Sequence, residues 1–141
     1  MRTLLVALSF TLAAPAAMAE DFALGDAEAG ESVFRRCAAC HAVGPDASNK
    51  VGPVLNGAVG RAIASYPDYN YGAGLVALGE TGAVWEAGAM AQYILNPAGY
   101  VEEVLGERKQ AKMAAQRLKD DQLADVIAYI ATFDAEGAAA E

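Results

Sequence analysis

The two cysteines and the single histidine of this 141-residue chain all lie within five consecutive positions, Cys37-Ala38-Ala39-Cys40-His41. A structural zinc site needs four nitrogen or sulfur ligands, usually as two separated pairs, and the chain has no second pair. A thiol–disulfide oxidoreductase carries its C-x-x-C motif in a βαβ context, whereas no alternating strand pattern flanks this one. The cluster therefore argues against zinc, thiol–disulfide exchange and a plain structural disulfide.

The same spacing accounts for all three side chains if they hold a covalent haem. C-x-x-C-H is the c-type haem signature: two thiols three positions apart add to the two vinyl groups of one porphyrin. The histidine that follows then lies beneath the iron. We therefore predict that Cys37 and Cys40 form the thioethers and that His41 ligates the iron of one haem c.

The rest of the chain predicts a mostly α-helical protein with unusually long loops. Apolar periodicity and capping residues predict three helices, over 26–36, 85–96 and 119–133. The segments 41–61 and 66–82 are rich in turn residues and are predicted to be loops, and Pro97 ends the second helix. A small domain with so much loop needs an additional source of stability such as a large cofactor, and a porphyrin supplies one.

The two ends of the chain are predicted to lie outside the folded core. Residues 1–19 have a positive start, an apolar run and a small-x-small cleavage site, as in a signal peptide for export to the periplasm. We expect residues 20–141 to form one domain, monomeric by default. Its last residues, 134–141, are predicted to be a frayed, flexible tail.

The charge of the chain limits its partners. It carries 10 Lys and Arg against 18 Asp and Glu, and removal of Arg2 with the signal would leave 9 − 18 = −9. Binding to nucleic acid depends on basic charge, so we expect no nucleic-acid partner.

The sixth iron ligand cannot be a second histidine, because His41 is the only one. Outside residues 1–19, methionine sulfur is offered by Met90 and Met113. Met90 falls on an apolar helix face, where core packing is the simpler role. Met113 lies in a less regular segment with no other apolar role, so the local pattern modestly favours Met113.

From Gly25 to Phe133 the landmarks of the chain stand in the order of one family. They are GDAEAGESVF, CAACH, VGPVLNGAVGR at 51–61, YNYG at 69–72, Trp85, QYILNPAGY at 92–100, Lys112-Met113 and ADVIAYI at 124–130. In this ordered set the chain resembles the class I cytochromes c, most of all bacterial cytochrome c2, which is similar to mitochondrial cytochrome c. The resemblance implies the all-α class I cytochrome c fold, with short helices and long loops wrapped around one covalently bound haem.

The resemblance also implies individual roles. His41 is the proximal ligand and donates its other ring N–H to the carbonyl of Pro53, while Met113 is the distal ligand and Tyr93 packs near its sulfur. Three positions match residues that hydrogen-bond a haem propionate: Arg61, Tyr71 and Trp85. The first and last helices are expected to cross at Gly30, Phe34 and Tyr129.

An iron with two strong axial ligands has no open position for a substrate, which favours electron transfer over enzymatic chemistry. The chain is thus expected to be a soluble periplasmic electron carrier and not an enzyme. Its electrons would come from a quinol-oxidising cytochrome bc complex and go to a terminal oxidase, a photosynthetic reaction centre or a reductase. Transient docking to these membrane complexes is predicted through basic side chains near the haem edge: Arg35, Arg36, Lys50, Lys109 and Lys112.

Two departures from the family pattern keep an alternative open. Ala111 stands where the family often has Thr, and Ala115 stands where it often has an aromatic residue. Both lie beside Met113, whose bond to iron is the weaker of the two axial bonds. The alternative is a haem enzyme or gas sensor in which Met113 is displaced.

Overall fold

Five short α-helices joined by long loops make up residues 22–139, the part of the chain that the computed structural model describes. They are α1 (Ala27–Phe34), α2 (Ala73–Glu80), α3 (Ala87–Leu95), α4 (Pro97–Leu105) and α5 (Asp120–Ala131). Extended pairing in this range is limited to two isolated bridges, Ala62 with Val84 and Phe133 with Ala139. The all-α prediction is confirmed, and α1, α3 and α5 lie where the sequence predicts helices. Residues 1–19, the predicted signal peptide, fall outside the described range.

Two helices were not predicted, and both have a local reason. Segment 66–82 was expected to be a loop, but it contains α2, whose two glycines lower its helix propensity. Pro97 was expected only to end a helix, yet it also begins α4, because proline is well suited to the first helical position. The side chain of Asn96 accepts a hydrogen bond from the Gly99 amide at 3.1 Å and so caps the N-terminus of α4.

The crossing of α1 and α5 brings together the first and last helices of residues 22–139. Gly30 is buried there, and a β-carbon at this position would lie 2.5 Å from the carbonyl carbon of Asp125 and 2.9 Å from Cβ of Tyr129. Only a glycine permits so close an approach. One helical turn later the rings of Phe34 and Tyr129 pack at a centroid distance of 5.3 Å.

The core is built from all five helices and the loops between them. Its most deeply buried side chains come from the loop after the cysteines and from α2, α4 and α5: Val54, Leu78, Val101, Val126 and Ile127. The apolar faces of the helices thus converge on one cluster, and α3 adds Met90 and Tyr93 to it. No helix within 22–139 has the length and the apolar character that crossing a bilayer requires.

Residues 134–139 of the predicted frayed tail form an ordered turn, the C-terminal turn, while 140 and 141 lie outside the described residues. The Asp134 carboxylate accepts hydrogen bonds from the amides of Glu136 and Ala138, at 3.0 and 2.8 Å. Gly137 is buried against the loop that follows the cysteines. The small, polar composition of this segment suggested disorder, but it forms a closed turn because Asp134 satisfies its backbone amides locally.

Candidate functional site

The three residues of the cysteine–histidine cluster are held by a helical turn that extends α1. The amide of Cys37 donates to the Phe34 carbonyl at 2.8 Å, and the amide of His41 donates to the Cys37 carbonyl at 2.8 Å. Both cysteines are free thiols, with Cys37 half-buried and Cys40 exposed. Burial, and secondarily the neighbouring Cys40, raises the pKa of the Cys37 thiol. Two unpaired thiols and an imidazole therefore stand together on one turn.

The imidazole of His41 is fixed in one orientation and one tautomer. Its Nδ1 lies 2.8 Å from the carbonyl oxygen of Pro53, which can only accept, so Nδ1 carries the proton. Burial lowers the pKa of His41 and keeps the ring neutral. Gly52 packs against the ring so closely that any β-carbon there would overlap it. Nε2 is thereby left as the nitrogen with a lone pair for a metal.

Arg61 is half-buried and lacks an acidic partner among residues 22–139. Its Nη1 donates to the Asn56 carbonyl at 2.8 Å and its Nη2 to the Val54 carbonyl at 3.2 Å, while its buried Nε has no hydrogen-bond partner in the described chain. Burial lowers the pKa of Arg61. A buried guanidinium with an unused donor fits a carboxylate supplied by a ligand, such as a haem propionate.

Trp85 is brought beside Arg61 by a short backbone pairing. The Trp85 amide donates to the Arg61 carbonyl at 2.8 Å, and the Gly60 amide donates to the Trp85 carbonyl at 2.7 Å. The Trp85 ring packs on the buried ring of Tyr93 at 5.1 Å between centroids. Burial raises the pKa of Tyr93 to about 12. The wall of the site next to Arg61 is therefore aromatic and largely dry.

Tyr71 lies in the loop before α2 and shares the surroundings of Arg61. Its hydroxyl accepts from the amide of Tyr66 at 3.2 Å, and the Tyr66 ring lies under the guanidinium of Arg61 at 4.9 Å. Burial raises the pKa of Tyr71, although the charge of Arg61 lowers it in part. The three residues expected to bind a propionate thus have a common neighbourhood in the fold.

Met113 lies in the helix-free segment between α4 and α5. It is half-buried and packs against the edge of the core cluster, whereas Met90 is a fully integrated core residue on α3. Two backbone hydrogen bonds hold the segment in place: the Gly74 amide donates to the Gln110 carbonyl at 3.0 Å, and the Gln116 amide to the Ile94 carbonyl at 2.9 Å. Of the two candidate methionines, Met113 is therefore the one whose side chain is not already packed within the core.

The side chains of the candidate site fit a covalently bound haem. The thiols are unpaired, one imidazole nitrogen is available, and a buried arginine nitrogen lacks a partner. The family comparison agrees, because the cytochrome c family model matches residues 27–134. The chain belongs to the cytochrome c family.

Relatives of known name support the assignment to the cytochromes c. A cytochrome c2 from Afifella marina is 38% identical over 109 residues, covering 77% of this chain and 83% of the relative. A cytochrome c-550 from Ancylobacter novellus is 43% identical over 109 residues, covering 77% and 95%. The solved structure of cytochrome c2 from Rhodospirillum centenum matches with a TM-score of 0.72 at 34% identity, covering 78% of this chain and 99% of that one.

Membership of the cytochrome c family confirms the predicted class I fold, and it means that the chain carries one covalently attached haem c and is a c-type electron carrier.

Sequence reasoning missed two residues that shape the site, Asn49 and Asn56. Asn56 is the one buried polar side chain of the described core, and Asn49 connects two loops through both ends of its amide. Their position inside a Gly- and Pro-rich stretch was the only available signal.

Proposed function

We propose that this cytochrome c carries single electrons between larger redox complexes, and that His41 and Met113 would hold its iron. The haem supplies a one-electron couple between ferric and ferrous iron. The observation that carries the proposal is the His41–Pro53 hydrogen bond of 2.8 Å, which commits one ring nitrogen and aims the other. A ligand held by its neighbours keeps the same geometry in both oxidation states, as a carrier requires.

Each remaining site residue has a proposed task. Cys37 and Cys40 anchor the haem through thioethers. The Nε donor of Arg61, which is buried without a partner in the described chain, binds a propionate, while Nη1 and Nη2 hold the guanidinium on two backbone carbonyls. Tyr71 and Trp85 border the same propionate, and the ring of Trp85, packed on Tyr93, keeps water away from it.

The choice of Met113 over Met90 is tested by absorption spectra of the oxidised protein in the far red. We expect Met113→Ala to abolish the weak sulfur-to-iron band, because the distal ligand is lost. Met90→Ala is the matched control: it removes the same side chain from the core of α3 and should keep the band while lowering stability. Loss of the band in Met90→Ala alone would overturn the ligand assignment.

Docking is proposed to use cations around the site, because electrostatic steering favours fast and weak encounters. The Lys50 ammonium donates to the Ala38 carbonyl at 2.9 Å, Arg36 donates to the Arg117 carbonyl at 3.2 Å, and Lys112 donates to the Asn70 carbonyl. Neutral carbonyl partners orient these charges without cancelling them. Lys109 differs, since it lies 3.1 Å from the carboxylate of Glu107, so we expect it to contribute least.

We propose acidic surfaces of membrane redox complexes as the partners. The donor would be a quinol-oxidising cytochrome bc complex, and the acceptor an oxidase, a reaction centre or a reductase. The electron-transfer rate with a purified bc complex should fall as salt rises, and Lys50→Gln should flatten that dependence. Arg108→Gln is the control, because Arg108 is already paired with Glu102 at 3.1 Å. A rate insensitive to salt would refute the steering but not the haem site.

Residues 1–19 are proposed to direct export to the periplasm and to be removed there. The apolar run and the small-x-small site in the sequence support this proposal. Mass spectrometry of the protein purified from a periplasmic extract should give an N-terminus at Glu20. A protein that retains Met1, or that stays in the cytoplasmic fraction, would contradict it.

A further inference from the structure

The C-terminal turn, residues 134–139, makes contacts that family membership does not account for. Residues 135–139 lie beyond the range that matches the cytochrome c family, which ends at 134. The turn is nevertheless fixed to the rest of the molecule, because the Gly57 amide donates to the Phe133 carbonyl at 3.0 Å. Phe133 also bridges to Ala139, which closes the turn on itself.

The inner side of the C-terminal turn presses on the backbone of Gly44 and the side chain of Asn56. Gly137 is buried there with φ +84°, and a β-carbon at this position would overlap the Gly44 carbonyl and lie 2.5 Å from Nδ2 of Asn56. Glycine is therefore required at 137 for two reasons, the left-handed backbone and the lack of space.

The contacted residues close the loop that supports His41, residues 42–57, which is called the proximal loop. Both ends of the Asn56 amide bind Gly44: Oδ1 accepts from its amide and Nδ2 donates to its carbonyl, each at 2.8 Å. The Leu55 amide donates to the Ala42 carbonyl at 3.0 Å beside this pair. Pro53, which accepts from Nδ1 of His41, lies within the loop so closed.

We propose that the C-terminal turn keeps the proximal loop closed. Asp134 and Gly137 are then positioning residues for His41. Asp134 closes the turn, Gly137 lets it seat on Gly44 and Asn56, and the closed loop holds the Pro53 carbonyl against His41. Only the consequence at the iron rests on the proposed function. The opening of the loop is measured separately, so that the two ideas can fail independently.

The test is amide hydrogen exchange of the reduced holoprotein, measured by NMR for Asp134→Ala. Loss of the two hydrogen bonds to the carboxylate should speed exchange by about five- to thirty-fold at the Gly44 and Gly57 amides and at Nδ1 of His41. Glu136→Ala is the matched control. It removes the same charge from the same turn, but the Glu136 side chain makes no hydrogen bond in the described chain, and it should leave these rates unchanged.

A second variant and a second measurement separate positioning from simple stability. Gly137→Ala should give the same exchange pattern, because its β-carbon unseats the turn while Asp134 stays intact. Both variants should also raise the midpoint potential, since a weaker hydrogen bond at Nδ1 makes His41 a poorer donor to ferric iron. Faster exchange at Gly57 alone would show that the turn does not hold Gly44 or His41 in place, which would overturn the proposal. Equal acceleration at Gly30 in α1 would show global unfolding and overturn it as well.

Discussion

A valine at position 30 would force apart the two helices that join the ends of the fold. Its β-carbon would sit 2.5 Å from the carbonyl carbon of Asp125 and 2.9 Å from Cβ of Tyr129. Both obstacles are parts of α5 that no rotamer change can move. Relief therefore requires the helices to separate, which also loosens the contact between the Phe34 and Tyr129 rings.

The cost of Gly30→Val can be estimated from these contacts. Overpacking a close interface costs about 1–3 kcal/mol, and an aromatic pair contributes about 0.5–1.5 kcal/mol, part of which is lost. The better helix propensity of valine returns only about 0.3 kcal/mol. We expect a net loss of about 3 kcal/mol in the free energy of unfolding, which lowers Tm by roughly 12 °C for a domain of this size.

Thermal unfolding followed by circular dichroism measures this loss. The matched control is Ala29→Val, which introduces the same side chain into the same helix at an exposed position. It should cost only the difference in helix propensity, about 0.6 kcal/mol, or roughly 2 °C. If the two variants lowered Tm by the same amount, the tight crossing of α1 and α5 would not be the feature that stabilises the fold.

Three further changes test the surroundings of the site. Burial raises the pKa of Tyr93 from 10.0 to about 12, so folded protein keeps a proton that unfolded protein releases above pH 10. Stability should therefore fall by about 3 kcal/mol between pH 10 and 12, and Tyr93→Phe should lack that part of the fall in urea titrations; parallel curves would refute this. Arg61→Met should lower the midpoint potential in potentiometric titration, because a positive charge favours ferrous iron, while Arg61→Lys should largely retain it; equal potentials would contradict the assignment. Asn49→Ala should cost about 1–2 kcal/mol in urea unfolding, since it leaves the Val54 amide and the Pro67 carbonyl without their 3.0 and 3.1 Å partners, and an unchanged midpoint would argue against this link between loops.

The local features of the candidate site could be predicted because each lies within a short stretch of sequence. CAACH forms one helical turn, and the hydrogen bond from His41 to the Pro53 carbonyl, which the family resemblance implies, is present at 2.8 Å. The periodic helices α1, α3 and α5 were found for the same reason. Met113 could be preferred to Met90 because α3 already gives Met90 a place in the core.

The features that were missed depend on contacts between distant parts of the chain. The glycines of α2 weaken its helical signal, and the packing of Gly74 beside Val101 of α4 becomes visible only in three dimensions. The composition of residues 134–139 indicates disorder; Asp134 closes the turn locally, but its seat on Gly44 and Asn56, about 80 to 90 residues earlier, is a distant contact. One missed feature is local instead: Lys109 pairs with Glu107, two residues earlier, which reduces a charge that the sequence alone counts as free.

The most direct test of the proposed iron ligands is to expose the reduced wild-type protein to carbon monoxide at neutral pH and follow its absorption spectrum. If His41 and Met113 both hold the iron, no position is open to carbon monoxide, and the low-spin spectrum should not change. Rapid formation of a carbon monoxide adduct would show that the sixth position is open. Ala111 and Ala115 would then mark a site for ligand binding, and the protein would be a haem enzyme or sensor instead of an electron carrier.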